Sequence, residues 1–304
     1  MSGAAESAEY GRLDQFRDSG EADGETIRDL AARLERRARA ADEVAARQAY
    51  LALIGLRPGD RLLDVGCGTG VVTRDAARRV APGGRVVGID PSPGFLAIAR
   101  ELAEREGLGE LIEWRPGDVR ALPFGDAEFD VVLAVTALSH VPGGGEAVPE
   151  LVRVARPGGR VGIFDLDTDS LIISHPDRAT TRRIVAAHSD NGVIDGWLAR
   201  RLPGLLQAVG CVDVQVRAFT PLERDPSGFY GGVAERAAEI ALQVGVVTEA
   251  ECRRWLDALH AEQLAGRFLA GRTHLFVWGT RPANTLERES PATRAASLPG
   301  AARS

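Results

Sequence analysis

Short apolar runs alternate with amphipathic stretches along most of the chain. The apolar runs predict buried strands, and the stretches with a period of about 3.6 residues predict helices. From residue 58 onward the two types alternate, which is typical of β-α units around a parallel sheet. The predicted strands are Arg61–Val65, Arg85–Ile89, Ile112–Arg115, Phe129–Ala134 and Arg160–Phe164, and the clearest helices between them are Val71–Val80 and Gly94–Glu106.

Further elements are predicted on both sides of this core. Two helices between Glu25 and Leu56 precede the first strand, either as plain packing or as a cap over a site. After a helix at Gly196–Val209, two more strands are predicted at Val212–Phe219 and Thr273–Gly279. The turn "RPGGR" leads into the fifth strand.

The connection between the last two predicted strands is too long for a simple turn. It predicts two inserted helices, the second beginning at Thr248 with Glu251 three residues on, as in a capping box. We therefore expect a tail and helical cap at 1–56, one domain at 57–282 with a helical insertion at about 223–270, and a disordered tail at 283–304.

Composition limits the classes of function. No apolar run approaches the length of a membrane helix, and the first residues lack the basic and apolar regions of an export signal. The net charge of −6 and the absence of a basic cluster argue against a nucleic-acid partner. We expect a cytoplasmic monomer or homodimer that acts on a small molecule, without a membrane partner.

Two residue counts exclude particular chemistries. The three cysteines, Cys67, Cys211 and Cys252, are odd in number and far apart, which favours neither a disulfide framework nor a zinc site. All 37 basic residues are arginines. Lysine Schiff-base chemistry and the lysine of a P-loop are therefore excluded.

The stretch "LDVGCGTG" carries the first candidate site. Gly66, Gly68 and Gly70 follow the first strand at alternate positions, where a bare backbone lets a ligand approach the strand ends. Asp64, just before this loop, is placed to accept a hydrogen bond from a ligand ammonium. A dinucleotide fingerprint would need glycine at position 71, and the chain has Val71.

Two further acidic residues follow predicted strands. Asp90, in "GIDPSP" with Pro91 and Ser92, is placed to accept both hydroxyls of a ribose or to cap the next helix. Asp118, in "GDVRALPF", is placed to contact an adenine amino group, with the backbone of Val119 meeting a ring nitrogen. Since all three carboxylates lie at or just after the ends of strands of one sheet, we expect them at one edge.

Five quoted stretches together resemble a known family. "LLDVGCGTG", "GIDPSP", "GDVRALPF", "FDVVLAVTALSHV" and "RPGGRVGIFD" resemble, in order and spacing, class I S-adenosylmethionine-dependent methyltransferases related to the ubiquinone and menaquinone C-methyltransferases. The resemblance covers residues 57 to about 162. It implies an α/β fold with a Rossmann-like, doubly wound sheet of seven strands whose last strand is antiparallel.

The same resemblance implies S-adenosylmethionine as cofactor. The three glycines would line its methionine part, Asp90 the ribose, Asp118 and Val119 the adenine, and Ala134 the sulfonium side. Arg47, on the preceding helix, would reach the cofactor carboxylate or remain a surface arginine. The predicted cofactor-binding residues are Arg47, Asp64, Gly66, Cys67, Gly68, Thr69, Gly70, Asp90, Pro91, Ser92, Asp118, Val119 and Ala134.

The candidate catalytic residues are His140, Asp165 and Asp167. His140 follows the fourth strand, where it would serve as a general base or hold its loop by a hydrogen bond. In "FDLDTDS", Asp165 and Asp167 alternate with Asp169, but the spacing of a calcium-binding EF-hand is not met, because Ser170 stands where glycine is required. We expect acceptor-facing carboxylates here and no metal.

The acceptor pocket is expected to form from the N-terminal helices, the segment after residue 169 and the inserted helices. Four aromatic residues of the inserted segment would form an apolar lid or ordinary core: Phe229, Tyr230, Trp255 and Phe268.

Three hypotheses follow for function. The first is methyl transfer to an oxygen, nitrogen or carbon atom of a small organic acceptor, in bacterial secondary metabolism. The second is a relative that binds the same cofactor but catalyses a cyclisation or an elimination. The third, a nicotinamide-dependent oxidoreductase, agrees with Asp90 but not with the glycine spacing.

Overall fold

The computed structural model describes residues 13–16 and 19–283. Most of the predicted N-terminal tail, and the predicted C-terminal tail beyond residue 283, lie outside these residues. Ten strands are present: β1 Arg61–Val65, β2 Arg85–Asp90, β3 Ile112–Pro116, β4 Phe129–Val135, β5 Ala155–Leu166, β6 Ile172–Ile173, β7 Val212–Phe219, β8 Leu222–Glu223, β9 Ala270–Gly271 and β10 His274–Thr280.

Seven strands form one sheet in the order β3-β2-β1-β4-β5-β10-β7. Strands β1 to β5 run parallel, whereas β10 is antiparallel to both of its neighbours. This arrangement confirms the predicted α/β class and the antiparallel last strand. Because the strand order reverses between β1 and β4, a crevice opens there at the carboxyl ends of the strands.

Nine α-helices accompany the strands in the described residues: α1 Gly24–Arg39, α2 Ala41–Leu53, α3 Val71–Val80, α4 Pro93–Arg105, α5 Val148–Val154, α6 Arg178–Asn191, α7 Leu198–Ala208, α8 Phe229–Gln243 and α9 Glu249–Leu264. The sequence pattern did not mark the bounds of α5 or α6. Helix α5 is short, and the buried face of α6 includes Thr180, His188 and Ser189, so its apolar period is interrupted. None of these helices is long and apolar enough to cross a membrane.

Alternation along the central strands divides the core between the two faces of the sheet. Leu62 and Val86 pack on one face in an apolar cluster with α2 and α3. Their neighbours Leu63 and Val87 pack on the other face, in a cluster with α5 and α7. With both faces covered, the sheet presents its strand ends to ligands.

Strand β5 begins earlier than predicted. It starts at Ala155, which is paired with Phe129, and the register then shifts so that Arg160 pairs with Val131. Gly158, with φ of +74°, lies within this irregular segment. The stretch predicted as a turn therefore belongs to the strand as an irregularity in the ladder.

The connection from β7 to β10 forms the predicted helical insertion. Its helices α8 and α9 share an apolar cluster with α6. The predicted capping box is present, because the Thr248 hydroxyl accepts from the Glu251 N–H at 3.2 Å and the Glu251 carboxylate accepts from the Thr248 N–H at 2.8 Å. The insertion enters and leaves at one point, where the hydroxyls of Thr220 and Thr273 are 3.0 Å apart.

Candidate functional site

A cavity of about 490 Å³ lies over the carboxyl ends of β1, β2 and β4. This volume is in the range typical of small-molecule sites. Its walls come from residues 14–16 and 19–21, α1, α2, the loop after β1, α6 and α8. The three chain segments expected to form the acceptor pocket all contribute to this lining.

Two parts of the cavity differ in the side chains that line them. The glycine-loop end comprises residues 66–70 with Asp64 and Asp90. The arginine end comprises Arg37, His188, Arg236 and Arg272.

Close packing explains two of the three loop glycines. A Cβ on Gly66, at φ of +70°, would lie 2.4 Å from the Cβ of Ala137. A Cβ on Gly70, at φ of +77°, would lie 2.4 Å from the ring of Trp114. Gly66, Cys67, Gly68 and Thr69 line the cavity, whereas Gly70 does not. Packing against Trp114 alone is therefore enough to require glycine at position 70.

The carboxylate of Asp90 is held in place by two backbone N–H groups. The N–H groups of Gly68 and Ser92 each donate to its carboxylate at 2.9 Å. Burial raises the pKa of Asp90. Asp90 and Pro91 line the cavity. Ser92 lies outside the lining and instead accepts from the Phe95 N–H as the cap of α4.

Asp64 is buried at the glycine-loop end with a single side-chain hydrogen bond, from the Thr73 hydroxyl at 2.6 Å. Burial raises the pKa of its carboxyl to about 6. Burial also raises the pKa of the neighbouring Cys67 thiol. A carboxylate that is costly to ionise favours a cationic ligand, because a positive partner restores the charged form.

Helix α1 holds the glycine loop through a residue that sequence reasoning missed. The Thr69 hydroxyl donates to Glu35 at 2.8 Å, and Arg74 donates to the same carboxylate at 3.2 Å. Arg47, on α2, lines the cavity and pairs with Asp75 at 2.7 Å. The N-terminal helices thus form one wall of the site.

The other predicted cofactor contacts divide into two groups. Asp118 and Val119 line the cavity, and hydrogen bonds from Arg120 lower the pKa of Asp118. Ala134 is buried in the sheet and outside the lining, which begins at the last residue of β4 and continues through Thr136. Thr136 has φ of +49°, an uncommon conformation for a residue with a side chain.

His140 lies in the cavity lining and is paired with a buried carboxylate. Its Nδ1 is 2.8 Å from Asp14 Oδ2, and the ring of Phe16 meets it edge-on at 5.0 Å. The N–H groups of Phe16 and Ile194 donate to the same Asp14 carboxylate at 2.9 and 3.2 Å. An ionised carboxylate beside Nδ1 favours the tautomer with the proton on Nδ1, which leaves the Nε2 lone pair free to accept a proton.

The structure places Asp165 and Asp167 outside the cavity lining. Asp165 accepts from the Ser139 N–H at 3.1 Å and from its hydroxyl at 2.7 Å, so it braces the loop that carries His140. Asp167 pairs with Arg200 at 2.8 Å. Both carboxylates therefore have protein partners outside the lining, and the described residues contain no group of three or more His, Cys, Asp or Glu side chains that could hold a metal ion.

The four aromatic residues of the insertion fall into two groups, three in its core and one at the cavity. Tyr230, Trp255 and Phe268 belong to the insertion's own core, and Phe229 alone of the four lines the cavity. The expected lid is therefore reduced to one ring, which stacks under the guanidinium of Arg37 at 5.5 Å.

Arg37, another residue that sequence reasoning missed, connects three parts of the fold. Its Nε donates to Glu43 at 3.0 Å, and its terminal nitrogen lies 3.0 Å from His274 Nε2 on β10. The hydroxyl of Tyr230 donates to the same Glu43 carboxylate at 3.2 Å. No local sequence pattern indicates this network, since its members are far apart along the chain.

Comparison with known proteins agrees with this geometry. A family model described as "Methyltransferase domain" matches residues 63–163. An uncharacterized protein of Mycobacterium bovis is 36% identical over 226 residues, which cover 71% of this chain and 79% of that protein. The demethylmenaquinone methyltransferase of Symbiobacterium thermophilum is 40% identical over 111 residues, 36% of this chain and 44% of the enzyme.

A solved structure, the YcgJ protein of Bacillus subtilis, shares the fold with a TM-score of 0.53 at 16% identity, covering 79% of this chain and 99% of that chain. The chain spans about half the length of several curated relatives that it matches, demethylmenaquinone methyltransferases among them. The chain belongs to the class I S-adenosylmethionine-dependent methyltransferase family. This assignment confirms the protein class and the cofactor that the motifs predict.

Proposed function

We propose that the protein transfers a methyl group from S-adenosylmethionine to a small organic acceptor, with His140 as general base and Asp14 as its positioning residue. The observation that carries the proposal is the 2.8 Å contact between His140 and Asp14 in the wall of the cavity that begins at the glycine loop. The size of the cavity supports a small acceptor. A cytoplasmic location, a monomeric or dimeric state and a role in bacterial secondary metabolism remain predictions.

The residues at the glycine-loop end fit the cofactor. Asp64, buried and with its pKa raised to about 6, is suited to the cofactor ammonium. Asp90 uses one hydrogen bond at each oxygen, which leaves lone pairs for the ribose hydroxyls. Gly66 and Gly68 present bare backbone beside them, and Asp118 with Val119 would hold the adenine.

When bound, the cofactor supplies an electrophilic methyl group whose former bonding pair stays on the sulfur as the new bond to the acceptor forms. The chain's own residues orient the acceptor and exclude water from the cavity. His140 Nε2 takes the proton that a hydroxyl or acidic C–H acceptor loses, and Asp14 stabilises the resulting imidazolium.

Two measurements test this function. Calorimetric titration with S-adenosylmethionine and S-adenosylhomocysteine establishes cofactor binding. Formation of S-adenosylhomocysteine with a panel of small hydroxylated acceptors establishes transfer. No binding would contradict the cofactor assignment, and binding without product across the panel would favour a non-methylating reaction.

The base is tested by His140→Gln, for which we expect kcat to fall by about 10²- to 10⁴-fold. The dissociation constant of the cofactor is expected to stay unchanged. Asp14→Asn should lower kcat less and shift its pH profile, since the imidazole keeps its place but loses the partner that stabilises its charge. His260→Gln is the matched control, because His260 is exposed and lies 3.4 Å from Glu235, outside the cavity lining. Unchanged kcat in the His140 variant would contradict the base assignment.

A further inference from the structure

Arg272 differs from Arg74, the other buried arginine of the described residues. It follows β9, lines the cavity and is 5% exposed. Among the described residues no carboxylate forms a salt bridge with it, and its Nε has no hydrogen-bond partner. Arg74, by contrast, pairs with Glu35 at 3.2 Å, and the half-buried Arg160 pairs with Asp60 at 2.7 Å. A buried guanidinium without a counter-ion is costly, so this position calls for an anion.

His188 supplies a second, independent sign of a ligand at the same end. It lies on α6, is 6% exposed and lines the cavity, yet neither of its ring nitrogens has a partner in the described part of the chain. Burial, together with the positive charges of Arg272 and Arg236, lowers the pKa of His188 to about 3. The neutral ring therefore carries one donor and one acceptor that are buried at this end of the cavity and have no partner among the described residues.

The acidic groups near Arg272 are already engaged. Glu43 accepts from Arg37 and from the Tyr230 hydroxyl. Asp165 is outside the cavity lining and accepts three hydrogen bonds, two of them from Ser139. Asp14 is committed to His140. The charge of Arg272 is therefore the one left for a ligand at the arginine end.

We propose that the arginine end binds a carboxylate of the methyl acceptor through Arg272 and His188, so that the acceptor is a small organic acid. The planar guanidinium matches the two oxygens of a carboxylate, and the neutral imidazole adds a hydrogen bond. Arg236, from α8, also lines the cavity, but its charge is paired with Glu239 at 3.3 Å. The substrate assignment rests on the proposed function, whereas the carboxylate subsite itself does not depend on turnover.

The test is binding of matched acids and amides. The probes are benzoate, 4-hydroxybenzoate, salicylate and propionate, each compared with its uncharged amide, titrated by calorimetry into the protein with and without saturating S-adenosylhomocysteine. We expect at least one acid to bind about 10- to 100-fold more tightly than its amide. Absence of any preference for acids across the panel overturns the proposal.

Arg272→Met keeps the length of the side chain and removes its charge. We expect this variant to lose the preference for the acid while its affinities for the amide and for S-adenosylhomocysteine stay unchanged. Retention of the preference would overturn the proposal. Arg253→Met is the control, because Arg253 is an exposed residue of α9 outside the cavity.

Thermal melting is a second readout that also detects weak binding. The acids should raise the melting temperature of the wild type and not that of Arg272→Met, and equal shifts would count against the subsite. Failure of S-adenosylhomocysteine to bind contradicts the proposed function alone, because acid binding is measured in its absence as well.

Discussion

The glycine-loop end and the arginine end of one cavity are built in opposite ways. At the glycine-loop end, Asp64 and Asp90 come from neighbouring strands and are held by hydrogen bonds from nearby backbone and hydroxyl groups. At the arginine end, Arg272 and His188 come from distant segments and carry polar atoms without partners in the described residues. The glycine-loop end is therefore formed by the main sheet and its first loop, whereas the arginine end is assembled from α6 and from the segment inserted between the last two strands of that sheet.

The largest effect that would separate the two ends is expected from Gly66→Ala. The added Cβ meets Ala137 and the backbone is left-handed, so the loop must move. A displacement of about 1 Å can cost about 100-fold, and we expect cofactor affinity measured by calorimetry to fall by that order. Carboxylate binding at the arginine end should change little.

Gly107→Ala is the matched control for this loop variant. Gly107 has φ of +69°, yet nothing lies within 4 Å of the Cβ it would gain. This control measures the cost of the left-handed backbone alone, about 1 kcal/mol of folding free energy, without the steric overlap. Equal loss of stability and of affinity in the two variants would contradict the packing explanation.

Asp90→Ala should weaken cofactor binding by about 1 to 3 kcal/mol, because buried hydrogen bonds to the cofactor and to Gly68 are lost together. The measurement is the dissociation constant of S-adenosylhomocysteine. Asp257→Asn, at an exposed position of α9, should leave it unchanged. Unchanged cofactor affinity in the Asp90 variant would contradict the assignment of Asp90 to the ribose hydroxyls.

Asp64→Asn should have a smaller and pH-dependent effect. The pKa of about 6 in the folded protein lies above the ordinary 3.8, so the folded state binds this proton more tightly than the unfolded state. Ionisation therefore lowers stability as pH rises from about 4, and the full cost is reached above about 6. The variant removes that cost and should melt at a higher temperature at pH 7, but not at pH 4.

The same carboxylate makes cofactor affinity pH-dependent in the wild type. Only the ionised form attracts an ammonium, so affinity should be constant above about pH 7 and fall below about pH 6. We expect the Asn variant to bind about tenfold more weakly at pH 7 and to lose this pH dependence. A wild-type affinity that is flat between pH 5 and 8 would contradict the role of Asp64.

The sequence predicted the glycine-loop end well because its signals are local. The strand, the three glycines and the acidic residue at the tip of β2 are short patterns whose periodicity and spacing are set by the backbone. The same reasoning placed β10 and the capping box at Thr248. It also assigned Gly70 and Ser92 to the cofactor, although packing and helix capping explain their presence.

The other polar pairs around the cavity could not be predicted from the sequence, because they depend on contacts between residues far apart along the chain. His140 and Asp14 are 126 positions apart, and Arg37 and His274 are 237 apart. Asp165 and Asp167 looked catalytic because they follow a strand, but only the fold shows that their partners are Ser139 and Arg200. A buried arginine without a partner has no signature in sequence at all.

The hydrogen bond between Thr220 and Thr273 gives the insertion the form of a removable module. Its two ends meet at neighbouring positions of paired strands, so a different segment can be joined there without stretching the sheet. Exchange of this segment would replace Phe229, Arg236 and Arg272 together and leave the sequence of the glycine loop intact. The cavity residues that the insertion contributes can therefore vary independently of the loop expected to hold the cofactor.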